Sequence, residues 1–276
     1  MNYRGPGFVI RVMTERLSGP APDSDGMWST ALARGLIRED ALRSTSYSDT
    51  GYIDLLEPHP RSRPTVAQRA MANRTVAAVY ERLWRPIAVA ALSLHGLSVA
   101  EERERAADAL HLDGGQRVLD VACGPGNFTS FFADRLVGDG FVIGVDNSPA
   151  MLERAVHDNA RARAVYLRAD AAGLPFDDRT FDAVCCFAAL YLVAEPCAVL
   201  REMVRVLAPG GRIAVMTSYG RESLLVRKGL ELGATLCGVR VFDRTTVPAF
   251  LTTAGLVDVE QQLRGISQFV SARRRG

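Results

Sequence analysis

Residues 118–127 read VLDVACGPGN, and about twenty positions beyond Gly126 a second apolar run, FVIGVD, ends at Asp146. The first stretch describes a strand running into a glycine turn that opens a helix; the second describes a neighbouring strand tipped by an acid. Gly124 and Gly126 allow the backbone to turn tightly and to approach a ligand, and the helix beginning near Asn127 offers unpaired N–H groups at its start. This is the arrangement by which α/β proteins hold an adenosine-bearing cofactor.

Working outward, further apolar runs at 164–169, 182–187 and 211–217 each lead into a helical stretch, which is the repeated βα unit of a parallel sheet. Right-handed crossovers then place every turn that follows a strand at one edge, where ligands bind. A short helix is expected over 248–255. Two runs around Arg264 and Gly265, 256–263 and 266–272, are too closely joined to pair in any way but antiparallel.

The chain divides into residues 1–97, an N-terminal extension that is partly loop and partly helical cap, and 98–276, the Rossmann-like domain. Residues 1–30 carry no sustained period. A short helix is expected over 30–43 and an isolated strand over 52–56, followed by a proline cluster at Pro58, Pro60 and Pro64. From Thr65 to Leu97 the spacing is helical, with Val79, Tyr80, Leu83 and Trp84 on one side and arginines on the other. This stripe reads as helix core, with Tyr80 and Trp84 as candidates for a cofactor lid. Ser98 and Glu101 form a capping box for the next helix.

Bulk properties exclude several classes. With 276 residues, 48% hydrophobic and 23% charged, the chain can bury a full core. A net charge of +2 is too small for non-specific attraction to nucleic acid. A local excess of arginine between 57 and 90 reads as a solvated face, with an acidic substrate or nucleic acid as the alternative, and Arg273 to Arg275 read as a solvated tail. The five cysteines lack C-x-x-C spacing and the four histidines have no paired spacing, so no metal is expected and the thiols read as reduced. No run reaches the ~20 apolar residues of a membrane span, and the expected location is cytoplasmic.

The third glycine of a dinucleotide fingerprint is replaced by Thr129, and an acid, Asp120, precedes the turn. A carboxylate there repels a pyrophosphate and attracts a cation, which favours S-adenosylmethionine over NAD. Asp146 is placed to accept from the ribose hydroxyls, or to cap a helix together with Asn147 and Ser148. Asp170, in YLRADA, is placed to accept from the exocyclic amine of adenine.

With these pieces, GVDNSPAMLERA (144–155), RADAAGLPFDDRTFDAV (168–184), LREMVRVLAPGGRIAV (200–215) and FLTTAGLVDVE (250–260), the chain resembles the class I S-adenosylmethionine-dependent methyltransferases, in the ubiquinone/menaquinone methyltransferase-like branch. The resemblance implies that 98–276 is a methyltransferase domain with a doubly wound seven-stranded sheet, mostly parallel, in the order 3-2-1-4-5-7-6 with strand seven antiparallel. It further implies that Asp120, Ala122, Gly124 and Gly126 line the methionine part, Asp146 the ribose, and Asn147 and Met151 the adenine. Asp170 and Ala171 would touch the adenine edge, and Phe187 would lie beneath the cofactor.

Two departures stand out: Ala122 replaces the more usual glycine, and FAALYLV (187–193) lacks the Leu-His pair of close relatives, which leaves no dedicated histidine base. Tyr191 and Tyr219, just past strand ends, become the candidates for orienting an acceptor hydroxyl. Residues 52–92 are similar to a subgroup that carries a zinc ribbon, some of them ribosomal-RNA guanine methyltransferases, yet no cysteine precedes Cys123. The expected activity is O- or C-methylation of a small apolar or aromatic acceptor; the alternatives are RNA base methylation and a non-catalytic cofactor-binding protein.

Overall fold

The computed structural model describes residues 24–43, 45–56, 99–219, 241–265 and 267–276. The expected helix over 65–97, with Tyr80 and Trp84, lies outside them. In chain order the elements begin with α1 (Ser24–Leu36), α2 (Glu39–Leu42), β1 (Ser46–Tyr47) and β2 (Ile53–Asp54). The Rossmann-like part follows with α3 (Val99–Leu110), β3 (Arg117–Val121), α4 (Asn127–Ala133), β4 (Phe141–Asp146), α5 (Pro149–Asn159), β5 (Ala164–Arg168) and β6 (Phe181–Phe187). After a 3-10 turn at Leu190–Leu192 come α6 (Pro196–Val206), β7 (Leu207–Ser218), α7 (Thr246–Thr253), β8 (Val257–Arg264) and β9 (Ser267–Arg273).

These strands form one nine-stranded sheet in the order β1-β2-β5-β4-β3-β6-β7-β9-β8. From β5 to β8 the order is the expected 3-2-1-4-5-7-6, and β9 runs antiparallel to both β7 and β8. Two strands are added beyond the expected seven. β2 pairs parallel with β5 and β1 pairs antiparallel with β2, so the strand expected to be isolated extends the sheet instead. Its place is held by the Leu55 N–H donating to the Arg168 carbonyl at 3.0 Å and by Arg168 Nη1 at 2.8 Å from Asp54 Oδ2.

The helix expected over 30–43 is likewise two helices. Between them Ile37, buried, forms a bridge with Phe176, and the Arg38 N–H donates to the Pro175 carbonyl at 3.0 Å. Docking on that loop interrupts the helix between Leu36 and Glu39.

Both faces of the sheet are covered, which is why its central strands are continuous apolar runs rather than alternating ones. On one face Leu119, Ile143, Val145, Leu167, Val184 and Val215 meet α6 and α7 through Leu200, Met203, Val247 and Leu251, and meet the N-terminal extension through Ala33 and Ile37. On the other, Val118, Val142, Cys185 and Ala214 meet Ala107 and Leu110 of α3 and Phe132 of α4. The described part of the extension thus shares the core and the sheet of the Rossmann-like part.

Candidate functional site

The parallel strands bring their C-terminal ends to one edge, and there β3, β4 and β5 are tied tip to tip. The Cys123 N–H donates to the Val145 carbonyl at 3.0 Å and the Ala169 N–H to the Asp146 carbonyl at 3.2 Å. Asp146 completes the tie with its side chain: Oδ2 accepts from the Gly124 N–H and Oδ1 from the Ser148 N–H, each at 2.9 Å. The cap of α5 is Ser148, whose Oγ accepts from the Met151 N–H, so Asp146 holds the loop instead of capping the helix.

Gly126 adopts φ +77° at the start of α4, a left-handed conformation that suits glycine, and a Cβ there would run into the ring of Tyr166. Asn159 latches the same turn from α5, donating to the Pro125 carbonyl at 2.7 Å while accepting from Ser130. At Gly124, φ +56°, a Cβ would meet nothing within 4 Å, so the turn borders open space.

A cavity of about 360 Å³ opens along this edge. Of the residues expected at the site, it gathers Ala122, Asp146, Asn147, Asp170 and Ala171 on its wall. Asp170 keeps its position through Oδ1, which accepts from the Ala172 N–H at 2.9 Å. Burial pushes the Asp146 carboxyl above the ordinary carboxylate range, against the opposing effect of its backbone donors.

The other expected residues lie off that wall. Asp120 is only 2% exposed and sits behind the turn, where it accepts from Thr129 Oγ1 at 2.6 Å and lies 3.6 Å from Cys185 Sγ. Burial pushes its carboxyl up to about 6, helped by the nearby charge of Asp146. Gly124, Gly126 and Asn127 form the turn and the first residue of α4, and Met151 is buried in α5. Phe187 belongs to an aromatic cluster, its ring centroid 4.6 Å from Phe128 and 5.9 Å from Phe269. Tyr191 lies in the 3-10 turn after β6, and Tyr219 bridges Phe242 just past β7.

Sequence reasoning missed much of the remaining lining: Arg38, Asp40, Ala41, Leu55 and Leu56 from the extension, Pro175 after β5, Val193, Ala194 and Glu195 after β6, and Val199 on α6. No local pattern announced them, because long-range pairing brings them to the edge. Thr129 had a signal, standing where a third glycine was missing, but its role as the partner of Asp120 needed coordinates. Among the described residues no group of His, Cys, Asp or Glu is placed to hold a metal ion, and no helix is long and apolar enough to cross a membrane.

The sheet order, its antiparallel seventh core strand and the acid-tipped β4 beside a glycine turn define the class I, Rossmann-like methyltransferase fold. Residues 118–211 match the family model described as "Methyltransferase domain", and the chain's sequence relatives are methyltransferases of the ubiquinone/menaquinone branch.

One such relative is the ubiquinone/menaquinone biosynthesis C-methyltransferase of Idiomarina loihiensis, 40% identical over 107 residues, 37% of this chain and 42% of that protein. Another is the 2-phytyl-1,4-naphthoquinone methyltransferase of Synechococcus elongatus, 38% identical over 140 residues, 49% of this chain and 56% of that protein. The chain therefore spans about half the length of the curated relatives it matches. Among solved structures, an S-adenosylmethionine-dependent methyltransferase from Mesorhizobium loti superposes with a TM-score of 0.52 at 25% identity, over 64% of this chain and 98% of that one.

The residues present fit a nucleoside. Each oxygen of Asp146 has one backbone donor and can accept another, as a vicinal diol requires, while Asp170 Oδ2 remains beside the same cavity as an acceptor for an amine.

Proposed function

We propose that this protein transfers the methyl group of S-adenosylmethionine to carbon or oxygen of a small apolar or aromatic acceptor. The observation that carries the reading is the carboxylate of Asp146, locked by the Gly124 and Ser148 amides on the wall of the cavity that Asp170 also lines. The names of the relatives, which methylate quinone-type rings, support an apolar ring as acceptor.

When bound, the donor supplies a methyl group already activated on a positively charged sulfur. Asp146 accepts from the ribose hydroxyls and Asp170 from the base, while Ala122 and Val145 offer apolar contact between them. Asp120 and Asp146, close enough for the charge of one to raise the other, present negative potential to a cation. That attraction is lost once the methyl group has left and the sulfur is neutral, which favours exchange of product for fresh donor. Tyr191 and Tyr219, at the ends of β6 and β7, orient the acceptor.

Transfer breaks the bond from sulfur to methyl as the bond to the acceptor forms, and the acceptor's proton passes to water. Holding the reacting atoms ~3–3.5 Å apart supplies much of the rate, and an enol or phenol is acidic enough to react without a dedicated base.

Calorimetry with S-adenosylmethionine tests the site: wild type binds and Asp146→Ala loses at least about tenfold in affinity, corresponding to ~1.4 kcal/mol or more. Equal affinity in the two proteins would refute the assignment. Incubation with methyl-labelled donor, a naphthoquinol and bulk RNA tests the acceptor. Label is expected in the quinol, and label in RNA alone would replace this reading with base methylation.

A further inference from the structure

We propose that the Arg38–Asp40 pair of the N-terminal extension reads the edge of the nucleobase, making the extension the element that decides which base the donor carries. The inference rests on the nucleoside reading of the cavity given above.

Arg38 and Asp40 line the same cavity as Ala122, Val145 and Asp146 at the tips of β3 and β4, where the ribose is assigned, and as Asp170 to Gly173 just past β5, where the base is assigned. The Arg38 N–H is bonded to the Pro175 carbonyl at 3.0 Å, which ties Arg38 to the loop that carries Asp170 on the cavity wall. The docked Ile37–Phe176 bridge holds this segment there from the core side. The extension contributes apolar wall as well, Leu55 and Leu56 lying next to β5.

The two side chains are paired at the surface. Arg38 Nε is 3.2 Å from Asp40 Oδ1 and Nη2 is 3.4 Å from Oδ2, a fork-to-fork contact that uses two of the five guanidinium N–H donors. The Arg38 guanidinium holds the Asp40 carboxyl below its ordinary range, so this group is an acceptor only. A donor and an acceptor side by side complement adenine, whose Watson–Crick edge presents an N–H donor at N6 beside an acceptor at N1. They mismatch hypoxanthine, which presents an acceptor at position 6 beside an N–H donor at N1. The neighbouring Asp170 can accept but cannot donate, so it reads N6 alone.

The test is calorimetry on the full chain with S-adenosylhomocysteine and S-inosylhomocysteine, which differ only at that edge. Wild type is expected to prefer the adenine form by about tenfold or more, the discrimination a two-point base contact supplies. Arg38→Ala and Asp40→Ala, at a half-buried and an exposed position, are expected to bring the ratio within about threefold while leaving the thermal midpoint unchanged. Asp146→Ala is expected to weaken both ligands equally and to keep the ratio. A wild-type ratio near one, or a ratio unchanged in both variants, overturns the proposal and leaves the nucleoside reading intact; failure of wild type to bind either compound overturns the nucleoside reading itself.

Discussion

Replacing Asp120 by asparagine should change the pH dependence of folding more than it changes the fold. Asp120 is 2% exposed, held by Thr129 Oγ1 at 2.6 Å, and its carboxyl is raised from 3.8 to about 6, chiefly by burial. The folded protein therefore binds that proton more tightly than the unfolded chain does. As pH rises through ~4 the unfolded chain ionises first and stability falls; the loss continues until pH ~6, where the folded carboxyl ionises too, and is constant above. A shift of roughly two units corresponds to about 3 kcal/mol. Stability from this group is thus highest in acid, opposite to a carboxylate held in a salt bridge.

Asparagine has nearly the same shape, can still accept from Thr129, and cannot ionise. Its amide faces Cys185 Sγ, a weak acceptor, which offsets part of the gain at every pH. The quantity to measure is the stability difference between variant and wild type, from urea unfolding at pH 4, 5, 6 and 7 in one buffer series. Asp146 and the surface carboxylates are common to both proteins and largely cancel. The difference should grow in favour of the variant by up to about 3 kcal/mol between pH 4 and pH 7, with most of the change below pH 6. A difference that stays flat across the series would show that Asp120 ionises in the folded state as it does in water, and the account of a buried, desolvated acid would fall.

Other substitutions probe the same edge. Asp120→Asn should also lower the preference for S-adenosylmethionine over its neutral demethylated product several-fold, and competitive calorimetry showing an unchanged preference would remove Asp120 from cation recognition. Gly126→Ala combines a left-handed backbone with a collision against Tyr166 and should cost about 2–4 kcal/mol; a thermal midpoint within one degree or so of wild type would contradict the packing described. Ala122 is an L-residue at φ +56°, strained by ~1–2 kcal/mol, so Ala122→Gly should stabilise by about 0.5–1 kcal/mol after the extra chain entropy of glycine, and destabilisation in urea titration would refute the strain. Arg168→Ala removes the partner that Asp54 reaches across 114 residues and should loosen β2 first, read as faster amide exchange at Ile53 and Leu55; unchanged protection there would mean that packing alone holds the edge.

How far the sequence could be read depended on whether a feature is local. The five central parallel strands and the closing hairpin are legible because two-sided burial leaves apolar runs and because Gly265 sits at the turn between β8 and β9. Asp146 and Asp170 are legible as site acids for the same reason: each is the first acid after a buried run, and parallel topology brings both to one edge. By contrast, β1 and β2 are two residues each, too short to show any period, and only their pairing with β5 defines them. Arg38 and Asp40 look like ordinary helix-end charges until the bond to Pro175 puts them at the cavity. Phe187 could be assigned to the end of β6 but not to its surroundings, since Phe128 and Phe132, one helical turn apart on α4, draw its ring into the core beneath that helix.

Thr129 shows where a local departure carries structural meaning. A glycine at that position would let α4 approach β4, and the structure keeps this closeness by placing the glycine on the strand instead: a Cβ at Gly144 would stand 3.0 Å from Thr129 Oγ1 and 2.9 Å from Cys123 Sγ. The small residue has moved to the partner element, and the space it leaves admits a hydroxyl that donates to Asp120. A buried carboxylate without such a donor would be pushed further up and held neutral near pH 7. With it, the rise is held to about 6. The residue that argued against a dinucleotide site is therefore the one that opposes the upward push of burial on Asp120.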